Sequence, residues 1–356
     1  MDKVEIQYQD LRSYSLDELK DVMKNLGEKP FRAAQIYRWL HKEVVSSYDE
    51  MTNLSKSLRE KLQREYPLWS MEAVKVQVSK IDGTRKYLFR LRDGYVIESV
   101  LMKYHHGNSV CISSQVGCRM GCVFCASTIG GRVRNLEPGE MLGQIYQIAR
   151  LTGERVANVV VMGTGEPLDN YPTLVRFIEL LSDGEGFGLS QRSLTVSSCG
   201  IVPKIYELAD RKYQITLAIS LHAPNDEKRK KLMPIANAYT IKELLTACRY
   251  YFDQTGRRLT FEYSLAGGQN DSKEDALELA GLLKGINCHV NLIPVNPVRE
   301  TQIRETGKKD ILKFKNTLEK CGINVTIRRE MGRDIDGACG QLRKSFLDSG
   351  HEEKCE

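Results

Sequence analysis

Cys118, Cys122 and Cys125 stand in a CxxxCxxC spacing within eight residues. Three thiolates this close together can hold three irons of a four-iron cubane, for which cysteine thiolate is the usual ligand. A cubane has four corners, so one iron is left without a protein ligand and open to a small molecule. Structural zinc is the rival for these residues. A closed zinc site takes four ligands, often as C-x2-4-C pairs, and here the fourth would be an unpaired cysteine such as Cys111 or Cys199.

Other residues with chemical potential stand where strands are expected to end. Gly163-Thr164-Gly165-Glu166-Pro167 follows an apolar run, and its glycines let the backbone approach a ligand closely while Glu166 can accept from an ammonium group. Ser197, Ser220-Leu221-His222 and Asn296 close three further runs. Val96, Glu98 and Val100 alternate onto one strand face. Glu98 there is either a buried carboxylate suited to accept a proton or an edge residue pointing at water.

The elements that must position these groups can be read from the chain's periodicity. At 356 residues it can bury a large core, forming one large domain and a smaller one. Residues 1–70 read as a small helical accessory unit, a possible RNA binder or a cap. Ser15 and Glu18 make a capping box, Leu16, Leu19, Met23 and Leu26 recur at helical spacing, and Leu54, Leu58 and Leu62 mark a third helix. Residues 71–105 switch to period two, with Val74, Val76 and Val78 alternating and turns at Asp82-Gly83 and Asp93-Gly94, as a β-hairpin connector.

From 106 to 343 apolar runs alternate with amphipathic stretches. The strand candidates are 110–113, 158–162, 193–197, 215–221, 259–264, 289–293 and 324–328, separated by helices such as 138–151 and 273–283. The rhythm predicts an α/β fold, a partial (β/α)6 barrel with ligands at the C-terminal strand ends. Six or seven repeats are too few for a closed eightfold barrel, and an open one has a lateral mouth wide enough for a macromolecule. Residues 344–356 read as a loose polar tail.

Composition adds bounds. The net charge of +6, from 52 basic and 46 acidic residues, permits a polyanionic partner without requiring one. Ten cysteines in a long chain with no apolar N-terminal region fit a reducing cytoplasm better than a disulfide framework. No run of 18 apolar residues exists, so no membrane span is expected.

The CxxxCxxC loop resembles the signature of the radical S-adenosylmethionine (SAM) superfamily, in which the open iron binds the amino and carboxylate groups of SAM. Within it the chain resembles the adenine-C2 methyltransferases of 23S ribosomal RNA and transfer RNA. The residues carrying the resemblance are CISSQVGCRMGCVFC at 111–125, MGTGEPL at 162–168, ISLHAPND at 219–226, LIPVNP at 292–297 and DIDGACGQL at 334–342. The resemblance implies a 4Fe–4S cluster on Cys118, Cys122 and Cys125. It implies SAM contacts from Gly165, Glu166, Ser197, Ser220, Leu221, His222 and Asn296. It makes Cys339 the methyl carrier, Cys111 its resolving partner and Glu98 a proton acceptor.

The implied substrates are the adenine at position 2503 of 23S ribosomal RNA, in the peptidyl-transferase region, and adenine 37 of transfer RNA. Carbon 2 of adenine is electron-poor and cannot attack a sulfonium methyl, so a radical route is required. One SAM methylates Cys339, and a second is split to a 5′-deoxyadenosyl radical that removes hydrogen from that methyl. The methylene radical adds to adenine, giving a protein–RNA adduct. Cys111 then resolves it, leaving a Cys111–Cys339 disulfide. The resemblance further implies two SAM per turnover, a reducing donor such as flavodoxin and a monomer.

Two rival readings stand beside this one: an adenine-C8 methyltransferase conferring antibiotic resistance, and a non-catalytic zinc-bound RNA-binding protein. Without the motif, His222 would read as a structural histidine. Cys199, Cys248, Cys288, Cys321 and Cys355 read as structural. Arg85, Lys86, Arg132, Arg134 and the Lys228–Lys231 run are the expected phosphate contacts.

Overall fold

The computed structural model describes residues 10–295, 304–335 and 340–349. Asn296 and Cys339 lie outside the described residues.

The helical unit forms as its caps dictate. Ser15 Oγ accepts from Glu18 N while Glu18 accepts from Ser15 N at 2.7 Å, closing a capping box on α1 (Leu16–Asn25). Helix α2 (Arg32–His41) packs on α1, and it and α3 (Lys56–Glu65) bury Ala33, Ile36, Tyr37, Leu40, Leu58 and Leu62 in the common core. The unit is keyed to the rest of the chain through α4 (Pro138–Thr152) and α5 (Tyr171–Ser182). Tyr37 Oη donates to Asp183 at 2.6 Å, His41 Nδ1 lies 2.8 Å from Tyr146 Oη, and Arg176 pairs with Glu18.

Strands β1 (Glu72–Val78), β2 (Arg85–Arg90), β3 (Val96–Tyr104) and β4 (Gly107–Ile112) form an antiparallel meander. The expected connector is thus continuous with the main sheet. Val76 and Val78 are exposed, because β1 is the sheet's edge and a bulge between Ala73 and Lys75 turns its alternation outward.

A short antiparallel pair, β5 (Gln115–Gly117) and β6 (Arg132–Asn135), brackets the cysteine loop. Cys118 N donates to Gly131 O across its neck.

The remaining strands are β7 (Val156–Val161), β8 (Leu194–Ser198), β9 (Thr216–Ser220), β10 (Leu259–Gly267), β11 (Cys288–Pro294), β12 (Arg304–Glu305) and β13 (Val325–Ile327). β4, β7, β8, β9, β10, β11 and β13 pair in parallel in that order. Intervening helices include α6 (Val202–Asp210), α7 (Asp226–Leu232), α8 (Ile241–Thr255), α9 (Lys273–Leu283) and α10 (Lys308–Lys320). β4 pairs with β3 and not with β13, so the parallel set is an open path, a partial barrel.

The stretch expected as a loose tail is helical as far as Asp348. In α11 (Gln341–Asp348), Leu342 and Phe346 pack on Leu88 and Val96.

Candidate active site

A cavity of about 620 Å³ opens at the C-terminal ends of the parallel strands. Cys111 on β4, Cys118, Cys122 and Cys125 of the loop, Gly165 and Glu166 after β7, Ser197 on β8, Ser220 on β9 and His222 beyond it all line this space. Leu221 does not line it. Its side chain is fully buried, because period two turns it into the core between two cavity residues.

Burial pushes the Cys118 thiol up to about 12 and raises Cys122 and Cys125 as well, so a metal centre must displace protons when it binds. Among the described residues no three His, Cys, Asp or Glu side chains are drawn together to hold a metal ion. The donor set fits a cluster: three soft thiols line one cavity together with the polar Glu166, Ser197, Ser220 and His222.

Gly165 is obligatory. Its φ is +111°, and an added Cβ would stand 2.7 Å from both Gln115 Cβ and Ser114 Oγ. Glu166 Oε1 accepts from Leu168 N at 2.9 Å and Oε2 from Cys199 N at 2.7 Å. Burial raises its carboxyl, and these amides oppose that shift. His222 adopts a φ of 55°, and its Nδ1 accepts from Ser264 N at 2.9 Å. The ring proton therefore sits on Nε2. Burial, aided by the charge of Arg229, pushes this imidazole down to about 3, so it is neutral.

Glu98 is buried, as one of its two sequence readings had it. Oε2 meets Lys86 Nζ at 3.1 Å and accepts from Gly340 N at 2.7 Å, and Oε1 accepts from Arg343 N at 2.7 Å. The carboxylate caps α11 directly after Cys339 in sequence. Gly340 itself is pressed on the cysteine loop, where an added Cβ would be 2.8 Å from Ser127 N.

Several expected phosphate contacts are engaged elsewhere. Lys86 is fully buried, and Arg229 is buried inside the Lys228–Lys231 run. Arg132 pairs with Asp169, Arg134 with Asp93 and Glu140, and Lys228 with Asp275. Strand pairing and ion pairing across elements are invisible in a run of basic letters. Sequence reasoning also missed Glu262, a buried cavity residue on β10 whose Oε2 accepts from Ser197 Oγ at 2.9 Å and whose Oε1 has no partner among the described residues. A carboxylate inside an apolar strand run was the signal for it.

Known proteins bear on this geometry. Residues 9–67 match the ribosomal RNA large subunit methyltransferase N-terminal domain, and residues 112–280 match the radical SAM superfamily. A probable dual-specificity RNA methyltransferase RlmN of Lachnospira eligens is 65% identical over 339 residues, 95% of this chain and 97% of that one. A protein of the same description from Lachnoclostridium phytofermentans is 60% identical over 339 residues, 95% of each chain. The crystal structure of a radical SAM methyltransferase from Sphaerobacter thermophilus superposes with a TM-score of 0.89 at 44% identity, covering 93% of this chain and 98% of that one.

Proposed function

Because the chain belongs to the RlmN family of dual-specificity RNA methyltransferases, which are radical SAM enzymes, we propose that it methylates carbon 2 of adenine in 23S ribosomal RNA and in transfer RNA. The proposed sites are the peptidyl-transferase-region adenine and adenine 37. The observation carrying this reading is that Cys111 lines the same cavity as Cys118, Cys122 and Cys125. Direct methyl transfer to a nucleophile has no use for a buried thiol beside a SAM pocket.

A 4Fe–4S cluster on those three thiolates would hold SAM at its open iron and supply the electron that splits it. Gly165, Glu166, Ser197, Ser220 and His222 line the same cavity and are the proposed SAM contacts, with Asn296 assigned by its motif. The Cys339 thiolate takes the methyl of a first SAM by displacement. After that methyl has given a hydrogen atom to the 5′-deoxyadenosyl radical from a second SAM, its carbon would join adenine carbon 2 and tether the RNA to the chain, and the adduct radical would give up one electron, which the oxidised cluster could take back, as it loses the carbon-2 proton. Glu98 receives the carbon-2 proton. Among the described residues its carboxylate meets Lys86 and accepts from the backbone N–H groups of Gly340 and Arg343. Cys111 attacks the Cys339 sulfur, the carbon–sulfur bond breaks, and the freed carbon takes a proton to become the methyl of the released RNA as a disulfide forms. An external donor such as flavodoxin restores the thiols. The proposed setting is a monomer in the cytoplasm; no helix among the described residues is long and apolar enough to cross a membrane.

Nucleoside mass spectrometry after reaction should return 2-methyladenosine from both RNAs, and Cys111→Ala should accumulate RNA crosslinked to protein. A product of 8-methyladenosine, or undiminished turnover by Cys111→Ala, would overturn the reading.

A further inference from the structure

We propose that Arg229 is the counter-charge of the iron–sulfur cluster, a buried cation fixed behind the cluster loop that eases the cluster's one-electron reduction. The inference rests on the family's cluster and is independent of which adenine carbon is methylated.

Arg229 has no exposed surface, although it sits in a basic run. Its neighbours in that run point outward and are neutralised there, Lys228 by Asp275 and Lys231 by Glu227. Arg229 instead turns inward from α7. Nη2 donates to Cys199 O at 2.7 Å and Ser220 O at 3.4 Å, and Nε donates to Leu221 O at 3.3 Å. These carbonyls belong to the ends of β8 and β9, where Ser197, Cys199, Ser220 and His222 face the cavity. Nη1 is buried and has no hydrogen-bond partner among the described residues. Among the described residues the guanidinium has no ion pair, and Asp226, which acts on it through space, is occupied in accepting from Ile241 N.

A guanidinium cannot shed its charge as lysine can, so a buried one without a counter-ion is costly. The groups that act on it through space include the thiols of Cys199 and Cys122. The cluster loop leans on the same element: Val123 N donates to Leu232 O at 3.1 Å, an added Cβ on Gly121 would be 3.3 Å from Pro234 Cγ, and Cys122 packs with Leu232 and Met233. A two-plus cubane core on three thiolates carries a net charge of about −1, and about −2 after one electron enters, and net charge and donors near the sulfurs set the potential. A fixed cation attracts the second state more than the first. The orphaned Nη1 and the uncompensated charge therefore have one purpose between them.

A plainer role, a strut tying three strand-end carbonyls, is separable by experiment. Full-length Arg229→Met and Arg229→Lys proteins are prepared without air, assayed for iron and sulfide, and titrated with dithionite while the reduced cluster is followed by electron paramagnetic resonance. Arg229→Met should keep its iron, and its ratio of reduced to oxidised cluster at a fixed ambient potential should fall at least tenfold, about 59 mV for a one-electron couple. Arg229→Lys, which keeps the charge, should fall less. An unchanged ratio in Arg229→Met overturns the proposal. So does an Arg229→Lys ratio as low as that of Arg229→Met, or loss of iron from both variants, which would mark a strut. Native protein without a reducible cluster would remove the proposal together with its cofactor, whereas an 8-methyl product would strike only the carbon-2 assignment.

Discussion

Lys86 and Glu98 are each at most 4% exposed and face each other from paired neighbouring strands, β2 and β3, in the described interior. Removing one member of such a pair leaves an uncompensated buried charge, at a cost of about 3–5 kcal/mol. Lys86→Met should therefore lose stability of that order in urea unfolding. Lys86→Met combined with Glu98→Gln should lose clearly less than Lys86→Met alone, because no bare charge remains. Equal losses would mean that Lys86 acts through its packing. The pair also shows why one chain-wise reading erred here. Beside Arg85 the lysine looks like a phosphate contact, and only the register that sets Lys86 next to Val100 and Leu88 opposite Glu98 brings its ammonium to a carboxylate.

At the level of elements, the turn after β7 is the most constrained feature of the cavity wall. Gly165→Ala puts a methyl group 2.7 Å from Gln115 and Ser114 at a φ that disfavours any side chain. The turn carrying Glu166 must shift, so SAM affinity measured by calorimetry on cluster-loaded protein should drop at least tenfold. An unchanged affinity would remove this turn from the SAM site.

The seven parallel strands were legible because short runs rich in β-branched and other apolar residues alternate with amphipathic helices. The Ser15–Glu18 capping box was legible because it is local. The outward face of β1 was not, since an edge strand and a half-buried strand share the same alternation. Helix α11 was missed because two buried residues, Leu342 and Phe346, are too few to set a period. The cavity itself was half legible. Motif residues fell on its wall, while Glu262, Lys86 and Arg229 acquire meaning only from partners on other strands.

Considered whole, the molecule has a seam between helices α1–α3 and the barrel helices, and His41 sits in it. Tyr37, Tyr146, Asp10, Arg12 and Asp183 surround the ring or act on it. Burial depresses its pKa from 6.5 to about 3, with Arg12 adding to the effect and Asp10 opposing it. Below pH 6.5 the unfolded chain binds a proton that the folded chain refuses. Stability should thus fall as pH drops from 6.5 towards 3, by up to about 1.4 kcal/mol per pH unit from this residue. His41→Gln keeps a partner for Tyr146 and should flatten that slope in urea titrations at pH 6.5 and 4.5. An identical slope would assign the acid sensitivity elsewhere.

The cap that Glu98 places on α11 spans 242 residues to Gly340 and 245 to Arg343. During synthesis the socket is laid down early, and its occupant emerges only after nearly all of the barrel has been translated. Docking of the chain's last described helix is therefore a finishing step of biogenesis, and a message truncated before residue 340 would yield a folded core with an unfilled keyhole where the lock should be.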